Sequence, residues 1–375
     1  MQLSHILSDI ETISALGTTR RVLLRRVLRQ RLFEYAGSWD WPHYRSRGTI
    51  QTINDYTTGT VTVTNGSTTV TGASTTFTSA MVGRKFRVGS ENAWYDIAAF
   101  VSTTEVTLTQ NYQGTGGATQ TYTIFQDEYR LNGDVHKLLD LRQIEDGLFM
   151  LGLSYLDMDR WFPDNDQLND PTSFAIIGRG NSRYTTGTVA VTSASRTITG
   201  TSTLWLTNPQ GLSRGNQIAI DDTTEVYTIN TVDSDTQLTV YEAPSTGDSS
   251  STYRVFLDNI LVQLQDVPDA QKNLYYRYQR IPYPLSRDDD VPDMPQDYHG
   301  MLVDAGLITA FALLGNGAAS AEAERRWKEG IAQQIRQIGS DSPAVDYTRK
   351  SLDRFVELTL GGQRLGSNEG VALWL

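Results

Sequence analysis

Apolar residues recur every three or four positions near both ends of the chain, and every second position through much of its middle. Leu3, Ile6, Leu7, Ile10, Ile13 and Leu16 fall at helical spacing, with Ser4 near the front and Gly17 behind, which predicts a helix over 3–16. A second helix is predicted from a cap at Thr18 or Thr19 to about Ala36. Its apolar stripe (Val22, Leu23, Val27, Leu28, Leu32, Tyr35) is opposed by arginines. Trp39-Asp40-Trp41-Pro42 then ends the helical region, proline closing it and the two indoles anchoring it.

The pattern next switches to period two. Residues 56–78 read YTTGTVTVTNGSTTVTGASTTFT, with Asn65-Gly66 between two alternating runs. This predicts a hairpin with a type I′ turn. Further strands are predicted at Lys85–Val88, Trp94–Ile97, Val106–Leu108 and Tyr122–Phe125, the spacing of a small β-sandwich or barrel. The run then returns: YTTGTVTV at Tyr56 becomes YTTGTVAV at Tyr184, Val70-Thr71-Gly72 becomes Ile198-Thr199-Gly200, and Phe77 becomes Trp205. Past a small insertion, Trp94–Ile97 corresponds to Val226–Ile229 and Tyr122–Phe125 to Tyr253–Phe256. Such order over about 70 positions marks a duplicated β-module, and two copies are too few for a solenoid.

Between the copies, residues 131–180 read as a connector, with strands at Val135–Leu141 and Thr172–Gly178 and a short helix at Ser154–Trp161. Asn259–Gln265 and Asn273–Arg280 alternate like strands, and Pro282, Pro284, Pro292 and Pro295 punctuate a loop. Helices are predicted at about 296–314, 318–338 and 343–359, before a glycine-rich tail that finishes in apolar residues. The expected fold is α+β: an α-helical platform built from both chain ends, carrying two inserted, duplicated small β-barrel or β-sandwich modules. Its parts are an N-terminal helical part (1–54), β-module 1 (55–130), connector (131–182), β-module 2 (183–257), strands and C-terminal helices (258–360) and a docking tail (361–375).

Composition removes most chemistry. The 375 residues contain no cysteine, so disulfides, thiolate metal sites and a cysteine nucleophile are excluded. Four histidines (His5, His43, His136, His299) share no metal-ligand spacing. No apolar run approaches the roughly 18 residues of a membrane helix, and MQLSHILSDIET carries acids where a leader peptide has bases, so neither is expected. The net charge of −11 is uneven: residues 1–50 hold eight arginines and four acids, leaving −15 on the remainder. Arginine forms planar, bidentate contacts, so a basic helix on an acidic chain reads as a contact to nucleic acid or to an acidic partner, or as a solvated face.

The acidic cluster Asp288, Asp289, Asp290 and Asp293 lacks the glycine and glutamate of an EF-hand loop, and Asp164-Asn165-Asp166…Asp170 fails the same spacing. Gly114–Gly117 is read as a hairpin tip, not a phosphate loop, and no nucleophile elbow or P-loop occurs. Trp94 and Trp205 are candidates for stacking sugars, but Trp205 aligns with Phe77 and reads as core. No catalytic, cofactor-binding or metal residue is nominated, and no enzyme activity or cofactor is expected.

The two ends together resemble head-to-tail adaptor (head-completion or connector) proteins of tailed bacteriophages. The likeness is carried by the N-terminal helical pair with its Trp-rich turn. It is carried further by Leu274-Tyr275-Tyr276-Arg277-Tyr278, Pro282…Leu285, Asp289-Asp290-Val291-Pro292-Asp293-Met294-Pro295 and Tyr298-His299-Gly300-Met301-Leu302-Val303, ahead of a helix pair. The resemblance implies a homo-oligomeric virion ring, commonly a dodecamer, between the portal protein and a tail or nozzle protein. Phage DNA would pass through its lumen without sequence-specific binding or membrane contact. Arg21, Arg25 and Arg29, spaced four apart, are expected to meet a neighbouring subunit or the portal. The end segment Val371, Ala372, Leu373, Trp374 and Leu375 is expected to dock on the portal. The competing readings are a tail or baseplate component that binds glycan or receptor through the β-modules, and a DNA-binding protein using Arg20–Arg31.

Overall fold

The computed structural model describes residues 1–341 apart from 16, 90, 144–147, 163–167, 207–210, 222–225 and 269. The expected helix at 343–359 and the tail at 361–375 lie outside the described residues. The chain is mixed α+β and divides into two compact units, Met1–Tyr35 with the chain from Met294 on, and Ala36–Asp293.

The first unit is helical. It contains α1 (Leu3–Ser14), most of α2 (Arg21–Ser38), α4 (His299–Leu313) and α5 (Gly317–Asp341); a short α3 (Tyr155–Trp161) lies in the second unit. In α1, Leu3, Ile6, Leu7, Ile10 and Ser14 are buried. Ile13 is exposed, because at 100° per residue it falls on the edge of that stripe. Ala15, not Gly17, takes the left-handed conformation that ends the helix. No side chain caps α1, and the 3₁₀ turn Thr18–Arg20, which also has no side-chain cap, replaces the expected threonine cap of α2. Helix α4 contributes Leu302, Ala305, Leu307 and Ala310 to the core. Gly306 marks where α1, α2 and α4 crowd together: a Cβ there would sit 2.3 Å from the Ile10 Cδ1 and 3.3 Å from the Leu28 Cδ2. Tyr35 packs on Trp327 of α5 and donates to the Gln334 Oε1 at 2.8 Å.

The second unit is almost all strand. After β1 (Arg45–Gln51) come β2 (Thr60–Val63), β3 (Thr69–Ala73), β4 (Lys85–Val88), β5 (Trp94–Ser102), β6 (Glu105–Leu108), β7 (Gly117–Gln120) and β8 (Tyr122–Phe125). Next are β9 (Glu128–Arg130), β10 (Val135–Gln143), β11 (Leu148–Phe149), β12 (Leu151–Leu153), β13 (Leu168–Asn169) and β14 (Ser173–Tyr184). The remainder are β15 (Thr188–Val191), β16 (Thr197–Thr201), β17 (Gln217–Ile220), β18 (Val226–Ser234), β19 (Gln237–Val240), β20 (Asp248–Ser251), β21 (Tyr253–Gln265), β22 (Val267–Pro268) and β23 (Asn273–Arg280).

Strands β2–β8 pair in the order β7-β2-β3-β6-β5-β4-β8, and β15–β21 in the order β20-β15-β16-β19-β18-β17-β21. Registers correspond: Val61 faces Gly72 as Val189 faces Gly200. Bulges also correspond, after Ile97 in one and after Ile229 in the other. Alternation puts Val61, Val63, Val70, Ile97 and Tyr122 inside the first sheet, and Val189, Val191, Ile198, Ile229 and Tyr253 inside the second, each core also taking a loop aromatic, Phe77 or Trp205. The Tyr122 hydroxyl donates to the Thr58 carbonyl, and the Tyr253 hydroxyl to the Thr186 carbonyl, both at 2.6 Å. Trp205 is fully buried, its indole N–H donating to the Tyr253 hydroxyl at 2.9 Å.

Three local expectations are corrected here. Only Gly66 has positive φ in the Asn65-Gly66 turn, so it is not type I′. Its amide instead reaches across to the Tyr112 carbonyl, while the Asn65 side chain binds the carbonyls of Gln113 and Gly114. Gly114–Gly117 is no hairpin tip: it links β6 to β7, which are separated by β2 and β3. Of the two indoles, Trp41 is fully buried, whereas Trp39 is 45% exposed.

The stretch read as a connector is framework. β10 lies between β23 and β11 in the sheet β1-β23-β10-β11. β14 runs antiparallel to β21 from Ser173↔Gln265 to Tyr184↔Val255. The second sheet thus leaves and returns through adjacent strands, and the first has an equivalent bridge, Tyr56↔Ile124. Ser154 caps α3, accepting from the Asp157 amide.

The turn matching Gly66 in the second sheet holds Ala194 at φ 62°. An L-residue pays for the left-handed region while glycine does not, and a Cβ at Gly66 meets nothing within 4 Å. Thermal unfolding is therefore expected to show Ala194→Gly stabilising the chain, and Gly66→Ala destabilising it, by about 0.5–1 kcal/mol each. Equal melting temperatures would contradict this account of the turn.

Candidate functional site

Helix α2 is the candidate partner surface. Its inward stripe is Leu24, Leu28, Leu32, Tyr35 and Ala36, all buried. This corrects the expected stripe in part: Val22 is 79% exposed and Leu23 is exposed too, because the helix is rotated to place Leu28 against Gly306. The arginines follow that phase. Arg21, Arg25 and Arg29 are half-buried along the border of the stripe, whereas Arg20 and Arg26 are exposed. The Arg21 guanidinium makes a bidentate pair with Glu11 of α1, Nε–Oε1 2.8 Å and Nη2–Oε2 2.9 Å. Arg21 thus has a partner within the chain and holds α1 against α2. Val371, Leu373, Trp374 and Leu375 lie outside the described residues.

The residues that carried the family resemblance prove to be scaffold. On β23, Leu274, Tyr276 and Tyr278 are buried on one face. The Tyr278 hydroxyl donates to the Asp134 carboxylate at 3.1 Å, and the Tyr276 hydroxyl accepts from the Asn132 amide at 3.2 Å. Burial pushes the Asp134 carboxyl above its ordinary value, against the opposing pull of the Tyr278 hydrogen bond. Arg280 pairs in bidentate fashion with Asp293, Nη2–Oδ1 2.7 Å, and lies over the Tyr283 ring at 4.1 Å and the Tyr44 ring at 5.4 Å. The Asp290 carboxylate accepts the Ser286 and Arg287 amides at 2.7 Å each, closing the loop. In the helical unit, Tyr298 donates to the Gln337 Oε1 at 2.6 Å, and the buried His299 ring is 3.0 Å from the Met294 carbonyl. The aspartates of this run therefore tie backbone and guanidinium groups, and among the described residues no three acids or histidines are placed to hold a metal ion.

Of the two tryptophans weighed for sugar stacking, Trp205 is core. Trp94 is exposed, but the Lys85 ammonium lies 4.1 Å from its ring centre. Lys85 is itself buried and bonded to Asp127 at 2.7 Å, so that face of the indole is occupied. No described helix is long and apolar enough to cross a membrane.

His43 sits between the rings of Trp41 and Tyr44, at 5.8 and 4.4 Å. Burial holds its imidazole down to about 4, with Asp293 pulling up and Arg280 pushing down. Residues 182–349 match the family model of the SU10 adaptor protein, a stretch short of half the chain that contains β15–β23, α4 and the run Leu274–Val303. It supports a phage adaptor-type protein. Among curated proteins none matches.

The depressed imidazole has a measurable consequence. The unfolded state, with an ordinary histidine near 6.5, binds a proton that the folded state refuses until about pH 4. Stability should therefore fall as pH drops through this window. Melting curves of His43→Phe are expected to fall less steeply than wild type between pH 6.5 and 4; parallel curves would show that His43 is not the group responsible.

Proposed function

We propose that this chain is a non-enzymatic structural protein of the virion neck, forming a homo-oligomeric ring that joins the portal of a phage capsid to the tail. The match of residues 182–349 to the SU10 adaptor protein carries the reading. The run from Leu274 to Val303 lies inside that match. On this reading the helices of both chain ends form the ring platform. The two sheets of common strand order are copies of one β-module inserted into it. A ring of identical subunits needs two different complementary surfaces on each copy, and the arginine-bordered α2 of an acidic chain supplies one of them. The acidic remainder of the chain also suits a lumen through which DNA slides without sticking, since phosphates are repelled. The segment Val371–Leu375 docks on the portal, and a tail or nozzle protein closes the other side. The glycan-binding alternative is weakened by Trp94, whose ring already carries Lys85.

Single-particle imaging of the purified protein and of virions tests the reading. A closed ring beneath the portal supports it; a peripheral trimeric spike, or a monomer that shifts DNA, overturns it. Truncation after Gly362 tests the docking segment separately. The shortened subunit is expected to melt at the wild-type temperature while losing its hold on the portal. Earlier melting with portal binding intact would make the segment part of the subunit's own core.

A further inference from the structure

The sheet β1-β23-β10-β11 has one buried face and one open face. Ile50, Leu141, Leu274, Tyr276 and Tyr278 fill the core on the buried side. On the other, Arg45, Arg47 and Thr49 of β1 and Tyr275 and Arg277 of β23 are exposed. The registers line this face up with β10 in three rows: Arg45 with Gln279 and Lys137, Arg47 with Arg277 and Asp140, and Thr49 with Tyr275 and Arg142. Neither β1 nor β23 contains an acid, on a chain of net charge −11.

The cations of this face are unequally neutralised. Lys137 pairs with Asp40 at 2.9 Å, and Arg142 with Asp140 at 2.9 Å. Arg277 reaches the same Asp140 only at 3.9 Å. Among the described residues Arg45 and Arg47 form no ion pair. Arg47 also lies directly across from Arg277, and like charges placed opposite one another cost stability unless an anion bridges them. Arginine, threonine and tyrosine side chains are those that bind phosphate oxygens. Docking of an acidic protein would call for a desolvated apolar centre, whereas β1 and β23 show one aromatic on this face, Tyr275, at 37% exposure. We infer that the open face of β1 and β23 is a contact for the phosphate backbone of duplex DNA, made without regard to sequence, with Arg45, Arg47 and Arg277 as its guanidiniums. About three phosphates per copy make a weak, salt-labile contact, which touches passing DNA without holding it. A single copy offers this face as well as a ring does, so the contact does not depend on the ring reading.

Fluorescence anisotropy of the full chain with a labelled duplex of about 30 base pairs, titrated upward from about 50 mM NaCl, tests the contact. Wild type is expected to bind two unrelated sequences with affinities within about threefold of each other. Arg47→Gln and Arg277→Gln should each weaken binding by about three- to tenfold, equally for both sequences, and flatten the salt dependence by about one phosphate. Both should melt no earlier than wild type, because the side chains are exposed and the like-charge pair is removed. A double variant of α2, Arg20→Gln with Arg26→Gln, should bind DNA like wild type. No DNA affinity in wild type, or affinity unchanged in both sheet variants, overturns the contact and leaves the ring reading standing. Loss in the α2 variant alone moves DNA to that helix and overturns it equally. Sheet variants that bind DNA normally but no longer form rings assign the face to an acidic protein surface instead. A monomeric wild type whose DNA affinity needs Arg47 and Arg277 keeps this contact and overturns the ring alone.

Discussion

Strand β21 belongs to two cores at once, and the second unit depends on it. Its thirteen residues pair with β17, β14 and β9 along their length. Tyr253, Val255 and Leu257 close the core of the sheet β15–β21, whereas Ile260, Val262 and Leu264 enter the core that contains Tyr129, Leu274, Tyr276 and Tyr278. The change of core falls at Asn259, which is fully buried. Its amide nitrogen donates to the Leu131 carbonyl at 2.6 Å and to the Ser213 hydroxyl at 2.9 Å, and its oxygen accepts from Asn216 at 3.0 Å. A buried polar side chain is tolerated only when satisfied in this way. The satisfied amide fixes the second sheet to its framework, because it bonds both Leu131 and the Ser213–Asn216 turn.

The sheet β2–β8 is held by different means. Its last strand, β8, ends at Phe125, and β9 pairs with β21 three residues on. Asp127, between them, accepts from the buried Lys85 and from Gln263. A buried ion pair of this kind is costly to break from one side, so it acts as a directional clamp. Two sheets of one strand order are thus attached through unrelated contacts. Alternation within each sheet is the same, while the joints to the rest of the unit differ.

This explains how much of the chain could be read beforehand. Lys85–Val88, Tyr122–Phe125 and Asn273–Arg280 begin and end where alternation placed them, because a strand's inward face is written in its own side chains. The roles of β10 and β14 were not legible, since their partners β23 and β21 lie far along the sequence and pairing leaves no local mark. Ala194 gave no turn signal because alanine has no preference for the left-handed region it occupies, where its amide donates to the Pro244 carbonyl. On α2, apolar residues lie on both sides, so the stripe that turns inward is decided by α1 and Gly306 and not by periodicity. The arginines nominated from four-residue spacing did share a side of the helix; the phase of that side was what the sequence left open.

Several of the residues through which the chain resembles known adaptors are held by contacts within the chain. Tyr276, Arg280, Asp290 and Asp293 direct their polar atoms to one another or to backbone amides, and Tyr278 to the Asp134 carboxylate, and such residues define a fold. Helix α2 and helix α3 lie outside residues 182–349, and both hold large apolar side chains in solvent. Scaffold contacts are constrained by burial, so they accept few substitutions without loss of a hydrogen bond or a cavity. Exposed anchors and their charges are constrained only by what they meet. Residues 182–349 hold both kinds of position, the satisfied contacts of Tyr278 and Arg280 and the exposed side chains of Leu206 and Val291, so the match by itself marks the fold and not a contact surface.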